Sequence, residues 1–178
     1  TACGGFKAAS VTSLVQSLIM IFALAAVLIF GVSSAGGWDQ VIANAKAIPG
    51  YLSLTASTSI TAAEAGEFGT LKIISMLAWA LGYFGMPHVI LHFMAIEDEN
   101  KLKLSRRVAT AWVVISLSIA VFIGVVGYSM AKSGIVTMFA DSSSAESLIV
   151  AIAAVLSEYG VLFALLAGII LAGILAAT

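Results

Sequence analysis

The sequence predicts an all-α, polytopic membrane protein, and three observations carry that reading. Of 178 residues, 61% are hydrophobic and 10% are charged, against about 25% charged in soluble domains. The mean hydropathy is +1.13. Residues 8–38, 73–96, 108–131 and 159–178 contain no Asp, Glu, Lys or Arg, and each reaches the roughly 20 residues that a transmembrane helix needs. High apolar content with a net charge of −1 excludes disorder. Eight Lys and Arg against nine Asp and Glu leave no basic field for nucleic acid. A single cysteine, Cys3, excludes an internal disulfide framework and a Cys-based zinc site.

The first helix is expected over 11–32, ahead of Ser33, Ser34, Ala35, Gly36 and Gly37. The second covers 73–95 and the third 108–130. The fourth covers 161–178 and is still apolar at Thr178. The chain begins at Thr1 rather than at a methionine, so it is expected to be an excerpt of a larger membrane protein. Its partners are then the bilayer and the rest of the same polypeptide. The apolar run after Lys7 is far longer than a signal-peptide core, so no signal peptide is expected.

Charge in the loops predicts orientation. Loop 97–107 holds Lys101, Lys103, Arg106 and Arg107, half of all positive charges. Short loops rich in Lys and Arg stay in the cytoplasm. Loops 33–70 and 132–158 each carry one lysine against three acidic residues and are expected outside. A multi-pass protein of the plasma (inner) membrane is expected. Within the first outer loop, Trp38, Val41, Ile42 and Ala45 have helical spacing, and Pro49 with Gly50 ends it. Residues 52–63, rich in Ser, Thr and Ala, are expected to be irregular. In the second outer loop, 141–144 offer capping residues for a helix over 145–156. Its Leu148, Ile149, Ile152 and Leu156 share a face, and it is too short to span.

The second span carries the chemistry. Residues 77–95 read LAWALGYFGMPHVILHFMA. Gly82, Gly85 and Pro87 fall together at mid-span. Pro87 has no N–H and clashes with the carbonyl four residues back, at Tyr83. Interrupted backbone at membrane depth is tolerated only inside protein or beside a water-filled cavity. Freed carbonyls and half-helix ends can there bind ions and polar solute groups. Trp79, Tyr83 and Pro87 stand four apart, close to one face of a helix. They could wall a small, partly apolar solute, or simply form the packing face of a kinked helix.

These residues resemble the sodium:solute symporter family, closest to its sodium/proline branch. The resemblance rests on Trp79-Ala-Leu-Gly82-Tyr83-Phe84-Gly85-Met86-Pro87-His88. It extends to Gly4-Gly5-Phe6 with Thr12 and Gln16, to Arg106-Arg107 with Thr110-Ala111-Trp112, and to the closing run 172–177. It implies a partial inverted-repeat core of five plus five helices, of which the four spans are helices 5 to 8. The interrupted span is then the discontinuous helix 6. The implied function is sodium-coupled symport of a small solute, L-proline first, by alternating access. The outer helix over 145–156 closes and the inner side opens. Trp79, Tyr83 and Pro87 correspond to positions lining the solute site, with Gly82, Gly85 and Met86 around the break. Ala177 corresponds to a backbone-carbonyl ligand of the sodium site, whose hydroxyl ligands are expected beyond Thr178. Sodium enters as coupling ion; no cofactor and no catalytic residue are implied. Met86 replaces a usual glutamine, Ser13 a frequent aspartate and His92 a common arginine, which bears on the choice of solute.

Other readings compete. A family-like domain can serve as the membrane input of a sensor kinase, or carry a different small carboxylated solute. A helical scaffold would have no reason for the break at 82–87. His88 and His92 have the i, i+4 spacing of a metal pair but lack further ligands. Their plainer reading is a hydrogen bond within the bundle and a place near the inner interface. Glu97-Asp98-Glu99 reads as a solvated loop, or as one side of an inner-gate salt bridge. Residues 142–144 read as a helix cap rather than a nucleophile. Gly124, Gly127, Gly168 and Gly173 read as points of close helix approach.

Overall fold

The computed structural model describes residues 5–53, 55–59, 64–82, 85–94, 96, 98, 100–139 and 145–177. It is mostly helical. In chain order the elements are α1 (Gly5–Ser34), α2 (Trp38–Lys46), β1 (Ala56–Ser59), β2 (Glu64–Glu67), α3 (Thr70–Gly82), α4 (Pro87–Met94), α5 (Lys101–Lys132), α6 (Leu148–Ser157) and α7 (Val161–Ala177). Two helices, 7–34 within α1 and the whole of α5, are long and apolar enough to cross a membrane by length and composition. The second span, expected to be interrupted by glycine and proline, stops at Gly82 and restarts at Pro87. The 17 residues of α7 cover roughly 25 Å at about 1.5 Å per residue.

The chain forms two compact units, one of residues 1–45 with 116–178 and one of residues 46–115. The first unit holds the apolar core. Ala23 and Val27 of α1, Val41 of α2, Ile123, Val126 and Met130 of α5, Ile152, Ala153 and Leu156 of α6, and Ala167 and Ile170 of α7 are buried in one cluster. α7 packs on α1 and on α6. Ring edges close the periphery: Phe30 meets Tyr159 at 5.5 Å between centroids, and Trp38 meets Phe122 at 5.8 Å. α1 ends in a tight turn. The N–H groups of Ala35 and Gly37 reach back to the carbonyls of Gly31 and Val32 at 2.9 Å each. Gly36 and Gly37 take φ values of 89° and 92°, a conformation that costs glycine nothing. The chain can therefore reverse at once into α2.

Small residues set three approaches in this core. A Cβ on Gly31 would come within 2.7 Å of Val126 Cγ1, and one on Gly127 would collide with Leu148. Gly173 sits 3.3 Å, measured the same way, from Ile19 Cγ2. The expectation for Gly124 and Gly168 is corrected: nothing lies within 4 Å of a Cβ at either position, so neither serves a close approach among the described residues.

One loop expectation needs correction. Residues 52–63 were expected to be irregular, yet β1 lies among them. It pairs antiparallel with β2, with Ala56 opposite Glu67 and Ser59 opposite Glu64. The Phe68 N–H donates to the Thr55 carbonyl at 3.0 Å and extends the ladder. Neither strand has the apolar alternation by which a half-buried strand is read from sequence. The expected helix over 145–156 begins at Leu148 instead. Its N-cap is Ser147, whose side chain makes no capping bond, and the proposed caps 141–144 lie outside the described residues. Its apolar face is as expected, with Ile152 and Leu156 buried and Leu148 and Ile149 packed against the core.

Candidate functional site

The candidate site lies in the second unit, where α3 gives way to α4. α3 starts cleanly: the N–H groups of Lys72 and Ile73 both turn onto the Gly69 carbonyl, and the Lys72 ammonium sits 5.0 Å over the Phe68 ring. Thirteen residues later it stops at Gly82. Residues 83 and 84 lie outside the described set, Gly85 has 3₁₀ conformation, and Pro87 opens α4. Proline suits that position, since a first-turn N–H has no intrahelical partner anyway. With four residues between Gly82 and Pro87, the two helix ends lie within roughly 18 Å.

Two opposed half-dipoles therefore flank the break. The carbonyls of the last turn of a helix lack intrahelical partners and carry partial negative charge. The N-terminal turn carries partial positive charge. At α4 the donors are partly used: Val89 and Ile90 both donate to the Met86 carbonyl, at 3.0 and 3.2 Å. Pro87 has no N–H to give. What α4 offers an anion is then mainly its dipole and the His88 N–H, while α3 offers a cation its terminal carbonyls.

Trp79 is 74% exposed and Met86 43%; Gly82, Gly85 and Pro87 are exposed as well. No residue of α3 is buried among those described. Tyr83 lies outside the described residues. Trp79 belongs to α3 and Pro87 opens α4. Ala177 falls at the end of α7, in the other unit. The side chains of His88 and His92 are outside the described set, and no cluster of metal-binding side chains occurs among the described residues. Glu97 and Glu99 also lie outside it. Asp98 turns onto Asn100, accepting its backbone N–H at 2.9 Å and its side-chain amide at 3.1 Å.

Sequence reasoning missed one polar pair. Asn44 and Ser129 meet inside the first unit's core. The signal was present, since Asn44 stands three residues after Val41 and one before Ala45, on the buried face of α2.

The apolar stretch broken between Gly82 and Pro87 lies in a chain with two helices long and apolar enough to cross a membrane by length and composition. The chain belongs to the sodium:solute symporter family, whose model matches residues 1–178. It is 37% identical over 132 residues to the osmoregulated proline transporter OpuE of Bacillus subtilis, covering 74% of this chain and 25% of that protein. It is 38% identical over 128 residues to the high-affinity proline transporter PutP of the same organism, covering 71% and 25%. It is 31% identical over 174 residues to a sodium/proline symporter of Staphylococcus aureus, covering 98% and 30%. The chain thus spans a quarter to a third of the length of the curated relatives it matches. No solved structure matches. The family and these relatives are transporters, not enzymes.

Proposed function

We propose that this chain is part of a sodium-coupled symporter for L-proline, working by alternating access. The observation that carries the reading is the interruption between Gly82 and Pro87, together with the proline transporters among the relatives. In this reading α1, α3 with α4, α5 and α7 are four spans of an inner-membrane protein, with loop 97–107 in the cytoplasm. Trp79, Tyr83 and Pro87 line the solute's apolar ring. The dipole of α4 favours its carboxylate, and the terminal carbonyls of α3 favour its ammonium. Gly82 and Gly85 let backbone approach the solute, and Met86 borders it. Ala177 contributes a backbone carbonyl toward sodium. The ion's inward movement gains about 2.3 kcal/mol per 100 mV, which drives the solute uphill. α6 closes over the outer mouth when both are bound.

The test is uptake of labelled L-proline by the full-length protein in proteoliposomes, with an inward sodium gradient and a panel of competing solutes. The expected result is uptake that collapses when potassium replaces sodium, with L-proline the strongest competitor. Folded protein that takes up no member of the panel would overturn the reading.

A further inference from the structure

The first half of α5 carries a basic cluster that lies outside the proposed solute site. Lys101, Lys103, Arg106 and Arg107 all lie in its first two turns, and its first turn has no acidic residue. Cations there oppose the helix dipole, so the cluster costs the isolated helix stability. Asp98, the described acidic neighbour, is engaged with Asn100. Directly beyond the cluster is an open groove of about 490 Å³ lined by Arg106, Arg107, Thr110, Ala111, Val114 and Ile115. Both arginines are exposed.

The lining changes character in one direction. Two guanidinium groups come first, a hydroxyl next, then only apolar side chains. From Arg106 to Ile115 the helix rises roughly 14 Å, close to the thickness of one leaflet of a hydrocarbon core of about 30 Å. α5 has 32 residues and is about 48 Å long. Its excess over the hydrocarbon core leaves the charged turns at headgroup depth. A phospholipid has the same order of polarity over the same length. Guanidinium groups bind phosphate oxygens in bidentate fashion, and an acyl chain matches Ala111, Val114 and Ile115.

The geometry points to a binding site for one anionic phospholipid, with its phosphate on Arg106 and Arg107 and an acyl chain along Ala111 to Ile115. The charge complementarity selects an anionic over a zwitterionic headgroup.

The test uses the full-length protein in nanodiscs of equal parts phosphatidylglycerol and phosphatidylcholine, with retained lipid read by native mass spectrometry. The expected result is preferential retention of phosphatidylglycerol. Each basic residue near an anionic surface is worth roughly fivefold in affinity. Arg106→Gln with Arg107→Gln should therefore lower retention roughly 25-fold by the same rule, while Lys46→Gln leaves it unchanged. Ala111→Trp, which keeps both charges and fills the groove, should also displace the lipid. Equal retention of the two lipids, or undiminished retention in the double variant, would overturn the site. Displacement of the lipid by inorganic phosphate at low concentration would reduce it to a simple anion site and equally overturn the proposal. If the double variant fails to fold, the Ala111→Trp result decides alone. Proline uptake measured in parallel keeps this outcome separate from the transport reading.

Discussion

Asn44 of α2 donates from its side-chain amide to the Ser129 hydroxyl of α5 at 2.7 Å, across 85 positions of sequence. Both are buried, at 7% and 0% exposure, in a core that is otherwise apolar among the described residues. The Gln40 amide approaches the Asn44 carbonyl oxygen at 3.5 Å, so the Asn44 side chain is held at both ends. The two partners are not equivalent. A serine hydroxyl on a helix can turn back to a carbonyl one turn earlier, whereas the Asn44 amide has no such local option. Ser129→Ala should destabilise the protein by about 1–3 kcal/mol by leaving a buried donor unpaired, and Asn44→Leu by less. The double variant should recover most of the loss. Thermal unfolding in detergent, run as a double-mutant cycle, measures this; additive losses would show that the bond contributes nothing specific.

Gly31 should be intolerant of alanine. Its missing Cβ is 2.7 Å from the Val126 side chain, and Val126 is fully buried and cannot yield. Overpacking of this kind costs about 1–3 kcal/mol. Gly124 lies on α5 only two residues before Val126, with open space around it. Gly124→Ala should be neutral or slightly stabilising, because alanine has the higher helix propensity. Melting temperatures of the two variants should move in opposite directions or differ by several degrees. Equal shifts would place the contact at Gly31 in doubt.

What the sequence made legible follows from how strong each physical signal is. Hydrophobic runs marked the courses of α1 and α5, and glycine with proline marked the break at 82–87, because those residue types act on the backbone directly. The paired strands β1 and β2 were hidden, since backbone pairing leaves no apolar alternation in Ala56–Ser59 or Glu64–Glu67. At the candidate site the i, i+4 spacing of Trp79, Tyr83 and Pro87 says least, because Trp79 lies in α3 and Pro87 at the start of α4. The charge order along Arg106, Thr110 and Val114 was readable as residues. The groove they line needed the helix surface.

Tyr83→Ala should raise the KM for L-proline roughly tenfold or more, a loss of about 1.4 kcal/mol, with surface expression retained. If Tyr83 lines the solute site, its ring offers more contact area than its hydroxyl, so Tyr83→Phe should have the smaller effect. Initial uptake rates across a proline concentration series separate KM from kcat. Unchanged KM in Tyr83→Ala would remove this residue from the solute site.

The chain has two prolines, which gives an internal control. Pro87→Ala restores an N–H and removes the ring that keeps α3 from running into α4. If the break is needed for transport, uptake should fall sharply. Pro49→Ala, in the turn after α2, should leave uptake near the original rate. Equal uptake in both variants would mean that the proline ring is dispensable to the break.

Met86 separates backbone from side-chain roles. Its carbonyl anchors the start of α4 through Val89 and Ile90, and any residue supplies that carbonyl. Met86→Gln therefore leaves the anchoring intact and changes only a side chain that is partly exposed beside the break. A thioether accepts hydrogen bonds weakly, whereas an amide offers two donors and an acceptor. If the side chain borders the solute, the order of competitors against labelled L-proline should change, favouring solutes with an added hydroxyl or amide. The expected melting temperature is unchanged. An identical competitor order would show that Met86 faces away from the solute and that its contribution is the carbonyl alone.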